Sequence, residues 1–423
     1  MIKKHFLALF VLLTGAATTV APASLANDRV TPAEVGLSAD RMASLKSHIA
    51  SYVDSGRLVG ATTLVAKKGK IAHFETYGML NKENGTDMPE DAVFRIYSMT
   101  KPITGVGLMM LWEEGKFKLD DPVSKYLPEF ANQRVFVSAN EDGSLQTEPV
   151  KQEATIRNLL THTAGLTYGV FGNTPIDQLY LKAGIFNPEL TLAEQSKLLG
   201  GLPLLYQPGE AWVYSLSVDV QGRLIEVLSG QSLGEFFADR IFKPLGMTDT
   251  GFFVREDQLD RFVEIYAPDE EQKALVAYRG DFYSDFTVQP KSESGGGGLV
   301  SSTLDYWKFA QMVANGGELN GVRLLKESTV ELMRQNHLPG NLNGIAGGTQ
   351  GLGFGLGFAV VQDVSKQGGK TNAGEYFWGG MANTIFWIDP QDELVTIFMT
   401  NILPSGLYPL RNELRDQVYS DAD

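Results

Sequence analysis

Val59-Gly60-Ala61-Thr62-Thr63-Leu64-Val65-Ala66, followed by Lys67-Lys68-Gly69-Lys70 and Ile71-Ala72-His73-Phe74, is the stretch on which the architecture turns. Two β-rich runs around a Lys/Gly turn read as a hairpin. The matching β signals lie far along the chain, at residues 357–361, 384–388 and 394–400, with Asp389-Pro390-Gln391-Asp392 as the turn between the last two. Around and between them the periodicity is helical: residues 39–57, with Leu45, Ile49 and Val53 on one face; the apolar, Met- and Leu-rich run 98–112; then 218–228, 233–242, 303–315 and about 407–419. These signals predict an α/β fold in which N- and C-terminal strands share one antiparallel sheet flanked by helices, with a mainly helical region inserted between. The expected division assigns residues 27–115 and 290–423 to the sheet-bearing part and 116–289 to the helical insertion. A site is expected in the cleft where the two meet.

Composition narrows the function classes. The 423 residues are 43% hydrophobic and 20% charged, which fits a globular protein and excludes disorder or a coiled coil. Lys and Arg total 36 against 50 Asp and Glu, for a net charge of −14, so the chain has no electrostatic footprint for nucleic acid or anionic lipid. With no cysteine, disulfides, thiol nucleophiles and Cys-based zinc sites are excluded. Lys3 and Lys4, an apolar run over 6–13 and the ending Ser24-Leu25-Ala26 read as a signal peptide over residues 1–26, hence a periplasmic or secreted protein with no membrane attachment after cleavage. The apolar run is too short to span a bilayer.

Two serine motifs compete for a nucleophile. Gly230-Gln231-Ser232-Leu233-Gly234 matches G-x-S-x-G, but that motif needs a strand running into a helix. Here a helical pattern precedes it, so Ser232 reads as the cap of the helix starting near Leu233. Ser98-Met99-Thr100-Lys101 is an S-x-x-K: three residues are nearly one helical turn, so both side chains project from one face. At the start of an apolar helix, Ser98 has an unpaired N–H, and the positive helix end favours an anionic intermediate. A partly desolvated Lys101 loses its proton more easily than a free lysine and can activate the serine. Of the five histidines, only His162 and His337 are placed to serve a Ser-His-Asp mechanism. Tyr214, after Pro208-Gly209, is a candidate proton shuttle.

Taken together, Phe94-Arg95-Ile96-Tyr97-Ser98-Met99-Thr100-Lys101, Leu159-Leu160-Thr161-His162-Thr163-Ala164-Gly165-Leu166, the block 208–230, residues 295–315 and Trp378-Gly379-Gly380 running into Phe386-Trp387-Ile388-Asp389-Pro390 resemble the serine β-lactamase and penicillin-binding-protein superfamily. The nearest branches are class C β-lactamases and family VIII carboxylesterases. The resemblance covers nearly the whole mature chain, with its motifs in the right order. It implies a β-lactamase/transpeptidase-like fold, Ser98 as the acylated nucleophile, Lys101 as its activator and Tyr214 as the general base of the Y-x-N motif. It further implies an oxyanion hole from the backbone N–H groups of Ser98 and Met381, a substrate surface including Trp378, Gly379, Gly380, Tyr97 and Leu216, a structural His162, and no metal or cofactor. Two positions depart from the β-lactamase pattern: Trp378 stands where K-T-G has lysine, and Leu216 where Y-x-N has asparagine. Trp-Gly-Gly is what the esterase branch shows. Lys370-Thr371-Asn372 is a poorer K-T-G match, lacking the glycine and a strand directly after it. The expected activity is hydrolysis of short-chain carboxylic esters. The alternatives are a β-lactamase or D-amino-acid peptidase/amidase using the same site, or a non-turnover penicillin-recognising protein. The aromatic- and Gly-rich stretch 168–187 is expected to wall the pocket.

Overall fold

The computed structural model describes residues 28–419, apart from 272, 281–284, 346, 347 and 349; the expected signal peptide therefore lies outside the described residues. One eight-stranded antiparallel sheet dominates. Its strands are β1 (Gly60–Lys67), β2 (Lys70–Asn81), β3 (Thr86–Asp87), β4 (Leu352–Phe354), β5 (Ala359–Val361), β6 (Tyr376–Gly379), β7 (Ile385–Asp389) and β8 (Leu394–Thr400), in the spatial order β4-β5-β6-β7-β8-β1-β2-β3. The hairpin thus joins the last strand at the centre of the sheet: Leu64 of β1 pairs with Ile397 of β8 on one side and with Phe74 of β2 on the other.

Both faces of this centre are covered. Ala61 and Val65 face helix α1 (Ala39–Asp54) and the C-terminal helix, which is α6 (Leu410–Val418) in chain order; Leu45, Ile49, Tyr52, Leu410 and Leu414 pack against them. Leu64 and Ala66 face the larger core, which includes α2 (Thr100–Glu113), α3 (Ser217–Ser229), α4 (Leu233–Phe237) and α5 (Thr303–Ala314). Alternation along β1 sends successive side chains to opposite layers, so covering both layers makes the strand apolar throughout. At roughly 25 cal/mol per Å² of apolar surface removed from water, these layers supply the main drive for folding.

Helix α2 carries the S-x-x-K lysine through the middle of the molecule. Residues 100–111 are all buried, which explains its lack of a polar stripe. Gly107 allows the close approach: a Cβ there would meet Phe237 at 3.1 Å and Phe236 at 3.2 Å. Ser98 sits in a 3₁₀ turn (Tyr97–Met99) that runs straight into α2, and the preceding backbone reverses at Tyr97, whose φ is +42°. Such a conformation costs a non-glycine residue about 1 kcal/mol and aims the next side chain sharply away from the chain path.

Between residues 116 and 289 the structure departs from the sequence reading in detail. Helices occupy Ile156–Leu160, Pro175–Lys182, Leu192–Gly201, α3 and α4, but the expected helix 233–242 changes to a π-helical turn at Ala238–Phe242. Two small hairpins, Arg134–Ala139 with Leu145–Pro149 and Tyr266–Pro268 with Leu275–Ala277, also lie here. Asp142-Gly143 lies in the turn of the first, a signal that the sequence reading passed over. Short, largely exposed strands give only a weak alternation signal. No helix among the described residues is long and apolar enough to cross a membrane.

Under α1, Thr63 Oγ1 bonds His73 Nε2 at 2.7 Å and Tyr77 Oη at 3.0 Å. Burial pushes the His73 imidazole down to about 4. A depressed folded-state value means that this neutral histidine's contribution is complete above its ordinary value near 6.5 and is lost as pH falls from there toward 4, by roughly 3 kcal/mol. Urea unfolding at about pH 7 and about pH 4.5 should show that His73→Gln loses less stability on acidification than the wild type. Equal losses in the two proteins would show that His73 is not a source of acid sensitivity.

Candidate active site

Three side chains singled out in the sequence meet at one oxygen. Ser98 Oγ accepts a hydrogen bond from Tyr214 Oη at 2.6 Å and another from Lys101 Nζ at 3.1 Å. Ser98 and Lys101 are one helical turn apart, while Tyr214 comes from the turn before α3. Lys101 is only 2% exposed. Its other two N–H groups donate to Tyr168 Oη at 2.9 Å and to the Gly296 carbonyl at 2.6 Å, so a full ammonium is satisfied. That ammonium also lies 4.6 Å from the centroid of the Tyr214 ring.

Sequence reasoning did not single out the groups that hold these donors and acceptors in place. Asp219, in the first turn of α3, is 2% exposed. Its Oδ1 accepts from Ser294 Oγ at 2.6 Å and from Gly296 N–H at 3.2 Å, which fixes the loop whose carbonyl receives Lys101. Burial pushes this carboxyl above its usual range, against the opposing pull of Ser294 and of the Lys101 charge. Burial of the Tyr168 hydroxyl, assisted by Tyr214 and Asp219, holds that phenol well above its ordinary value and therefore protonated. The available signal for Asp219 was an acid between two valines at the opening of a buried helix; Tyr168 lay at the start of the segment expected to wall the pocket.

Aromatic rings enclose Tyr214. Their centroids stand 5.1 Å away for His162 and Tyr168, 5.5 Å for Trp378, 5.6 Å for Phe171 and 6.3 Å for Trp212. Phe171 is 65% exposed and Phe186, stacked on Tyr168, is also exposed, so the segment 168–187 forms an aromatic rim beside Ser98. His162 does not touch Ser98: its Nδ1 lies 3.1 Å from Ser215 Oγ, and burial, then the Lys101 charge, keep its ring neutral. His337 is engaged elsewhere, with Arg157 and the Leu332 carbonyl.

Strand β6 brings Trp378 and Gly379 to the same place. A Cβ on Gly380 would come to 2.5 Å from the Ile96 carbonyl oxygen, so residues 379–381 abut the turn that carries Ser98. Among the described residues, the Met381 N–H has no hydrogen-bond partner. Tyr97 and Leu216 are placed differently from the expectation that they form substrate surface. The Tyr97 ring is buried edge-on against Phe286, and Leu216 is buried in the main core, because the backbone around each turns its side chain inward. Lys370-Thr371-Asn372 does not join the site: Asn372 Nδ2 bonds Asp389 and Asp392 at 2.7 and 2.9 Å, closing the turn between β7 and β8.

The chain is similar in sequence and in fold to known proteins. Residues 45–420 match the family model described as Beta-lactamase. Protein Rv1367c of Mycobacterium tuberculosis (strain ATCC 25618 / H37Rv) is 34% identical over 369 residues, covering 85% of this chain and 90% of that protein. Esterase EstB of Burkholderia gladioli is 32% identical over 405 residues, covering 89% and 96%. The solved structure of EstCE1, a hydrolase with promiscuous acyltransferase activity, aligns with a TM-score of 0.74 at 28% identity, over 90% of this chain and 99% of that one.

The second serine motif has a different place. Ser232 accepts from Glu235 N–H at 3.2 Å, and Glu235 returns a bond to Ser232 N–H at 3.0 Å, a capping box opening α4. Ser232→Ala should cost about 1 kcal/mol of stability in denaturant unfolding and leave any turnover at Ser98 unchanged. A loss of turnover without a loss of stability would contradict the capping role.

Proposed function

The chain belongs to the Beta-lactamase family, in which its relatives include esterases and acyltransferases, and from that premise we propose that it is a serine carboxylesterase acting through an acyl-enzyme on Ser98. The observation that carries this reading is the convergence of Tyr214 Oη and Lys101 Nζ on Ser98 Oγ, at 2.6 and 3.1 Å. The pair acts as a base once it has given up one proton, as a Tyr214 phenolate or a neutral Lys101 amine; Ser98 Oγ then attacks the ester carbonyl and its proton passes to that free site. The tetrahedral oxyanion is received by the N–H groups of Ser98 and Met381. As the C–O bond to the alcohol breaks, the same pair returns the proton to the departing oxygen. Water then attacks the acyl carbon, gives its proton to the pair and releases the acid, with Ser98 regaining its hydrogen. The residues that act need no cofactor for any of these steps.

The surroundings favour neutral esters. Trp378 offers a ring where a lysine would offer a charge, and the rim formed by Phe171 and Phe186 presents apolar surface to the acyl or alcohol part. A carboxylate lying against Trp378 would lose water there without gaining a cation at that position in return. An exported enzyme, as the N-terminal sequence suggests, would meet such esters outside the cytoplasm.

With p-nitrophenyl butyrate as substrate, Ser98→Ala should lower kcat/KM by at least about a thousandfold while the protein remains folded. Turnover close to that of the wild type would end the proposal. The second expectation concerns charge: nitrocefin, which carries a carboxylate beside its reacting amide, should show kcat/KM at least about tenfold below that of the neutral ester. The reverse preference would favour the β-lactamase reading over the esterase one.

A further inference from the structure

Helix α6 carries two arginines one turn apart, with contrasting surroundings. Arg415 forms a buried ion pair, its Nε and Nη2 donating to Glu375 Oε1 at 3.0 and 2.7 Å. Arg411 has no carboxylate partner among the described residues. Its Nη2 donates to the Gly380 carbonyl at 3.0 Å and, more weakly, to the Thr384 carbonyl at 3.4 Å, while its buried Nε has no partner. Burial, then the neighbouring Arg415 charge, lower its value to about 10, with Tyr214 opposing; the guanidinium stays charged at neutral pH. Even a half-buried cation without a carboxylate partner is costly, so its position calls for a reason.

The reason lies in the peptide that it touches. The Gly380 carbonyl and the Met381 N–H belong to the same planar trans unit and point in opposite directions. A cation bonded to that oxygen fixes the plane of the unit, aiming the N–H away from Arg411. It also draws electron density through the amide, which strengthens the N–H as a donor. The glycine at 379 gives the guanidinium its room: a Cβ there would lie 2.6 Å from Arg411 Nη2 and 2.8 Å from Cζ. Resting on the reading of Ser98 and Met381 as the oxyanion site, we propose that Arg411 is a positioning residue that orients and polarises the Gly380–Met381 peptide for the transition state. It acts from behind the strand and does not contact the substrate.

Three measurements on the full chain test this. Arg411→Met keeps an apolar stem and removes the charge. Its kcat for p-nitrophenyl butyrate should fall roughly tenfold to a hundredfold, less than the loss of a whole oxyanion donor, with KM within about threefold of the wild type. Inhibition by butylboronic acid, whose boron accepts Ser98 Oγ and becomes a tetrahedral anion, should weaken by a similar factor, since a transition-state mimic loses what the transition state loses. Arg411→Lys keeps the charge but cannot reach in the same geometry, and should fall between the two proteins. A merely structural arginine would lower the thermal midpoint without moving boronate affinity and kcat together. Unchanged kcat in a folded Arg411→Met protein overturns the inference, as does a loss that appears only in KM. Should Arg411→Met not fold, Arg411→Lys decides: a reduced kcat at constant KM supports the assignment, and a wild-type kcat overturns it. Labelling the wild type with a fluorophosphonate and mapping the modified peptide separates the two levels. No label at Ser98 refutes the acyl-enzyme reading itself, whereas a labelled Ser98 with a fully active Arg411→Met protein refutes the role of Arg411 alone.

Discussion

Everything at the site follows from burying one ammonium. Lys101 sits in a helix with no polar face, 2% exposed, and a charge taken that far from water must have its hydrogens received in place. Three acceptors meet the demand: Ser98 Oγ on the same helical turn, Tyr168 Oη from the rim segment and the Gly296 carbonyl from the loop before α5. Two of them are secured in turn. Ser98 receives Tyr214, and Gly296 is tied by its N–H to Asp219. Removing any of these leaves a buried donor unsatisfied, at a cost of about 1–3 kcal/mol or more for a charged group. The same requirement that stabilises the lysine therefore brings four segments, distant in sequence, to within hydrogen-bonding distance of one another.

Much of this was legible in the chain, and the reasons differ by element. Strands β1 and β8 are strongly β-branched and apolar, and their pairing at the centre of the sheet is what makes an antiparallel sheet from opposite ends of the chain. Helices α1, α3 and α5 show a face or a cap that fixes them to within a few residues. Ser98 and Lys101 were legible because helix geometry alone places them together. Tyr214 was not fixed by spacing at all; its assignment came from family resemblance. The small strand β4 and the hairpins between 134 and 277 escaped because such short segments carry little local pattern, whereas β5 falls within the strand expected at 357–361.

Asp219, Tyr168 and Arg411 mark the other limit. None belongs to a local motif: Asp219 acts through the Gly296 N–H and Arg411 through the Gly380 carbonyl, while Tyr168 accepts directly from Lys101 Nζ. A sequence shows which side chains can donate or accept, but the partner that they meet is chosen by tertiary packing. Leu216 and Tyr97 illustrate the converse. They flank residues of the site in sequence and yet turn into apolar clusters, because adjacency along a chain does not decide which way a side chain faces.

The electrostatic arrangement gives these separate placements a common direction. Neutral rings surround Tyr214, so few mobile charges or dipoles are available to screen the site. Two cations flank it, Lys101 beneath Ser98 and Arg411 behind the Gly380–Met381 peptide, and the buried carboxyl of Asp219 has its charge opposed by desolvation. In a low-dielectric setting, fixed positive charge raises the energy of an incoming cation, stabilises an anion that develops in place, and leaves a neutral ground state little affected. A neutral ester gains its negative charge only on the way to the tetrahedral intermediate. The field is therefore felt where a catalyst must act, in the difference between ground and transition states, rather than being spent on binding the substrate.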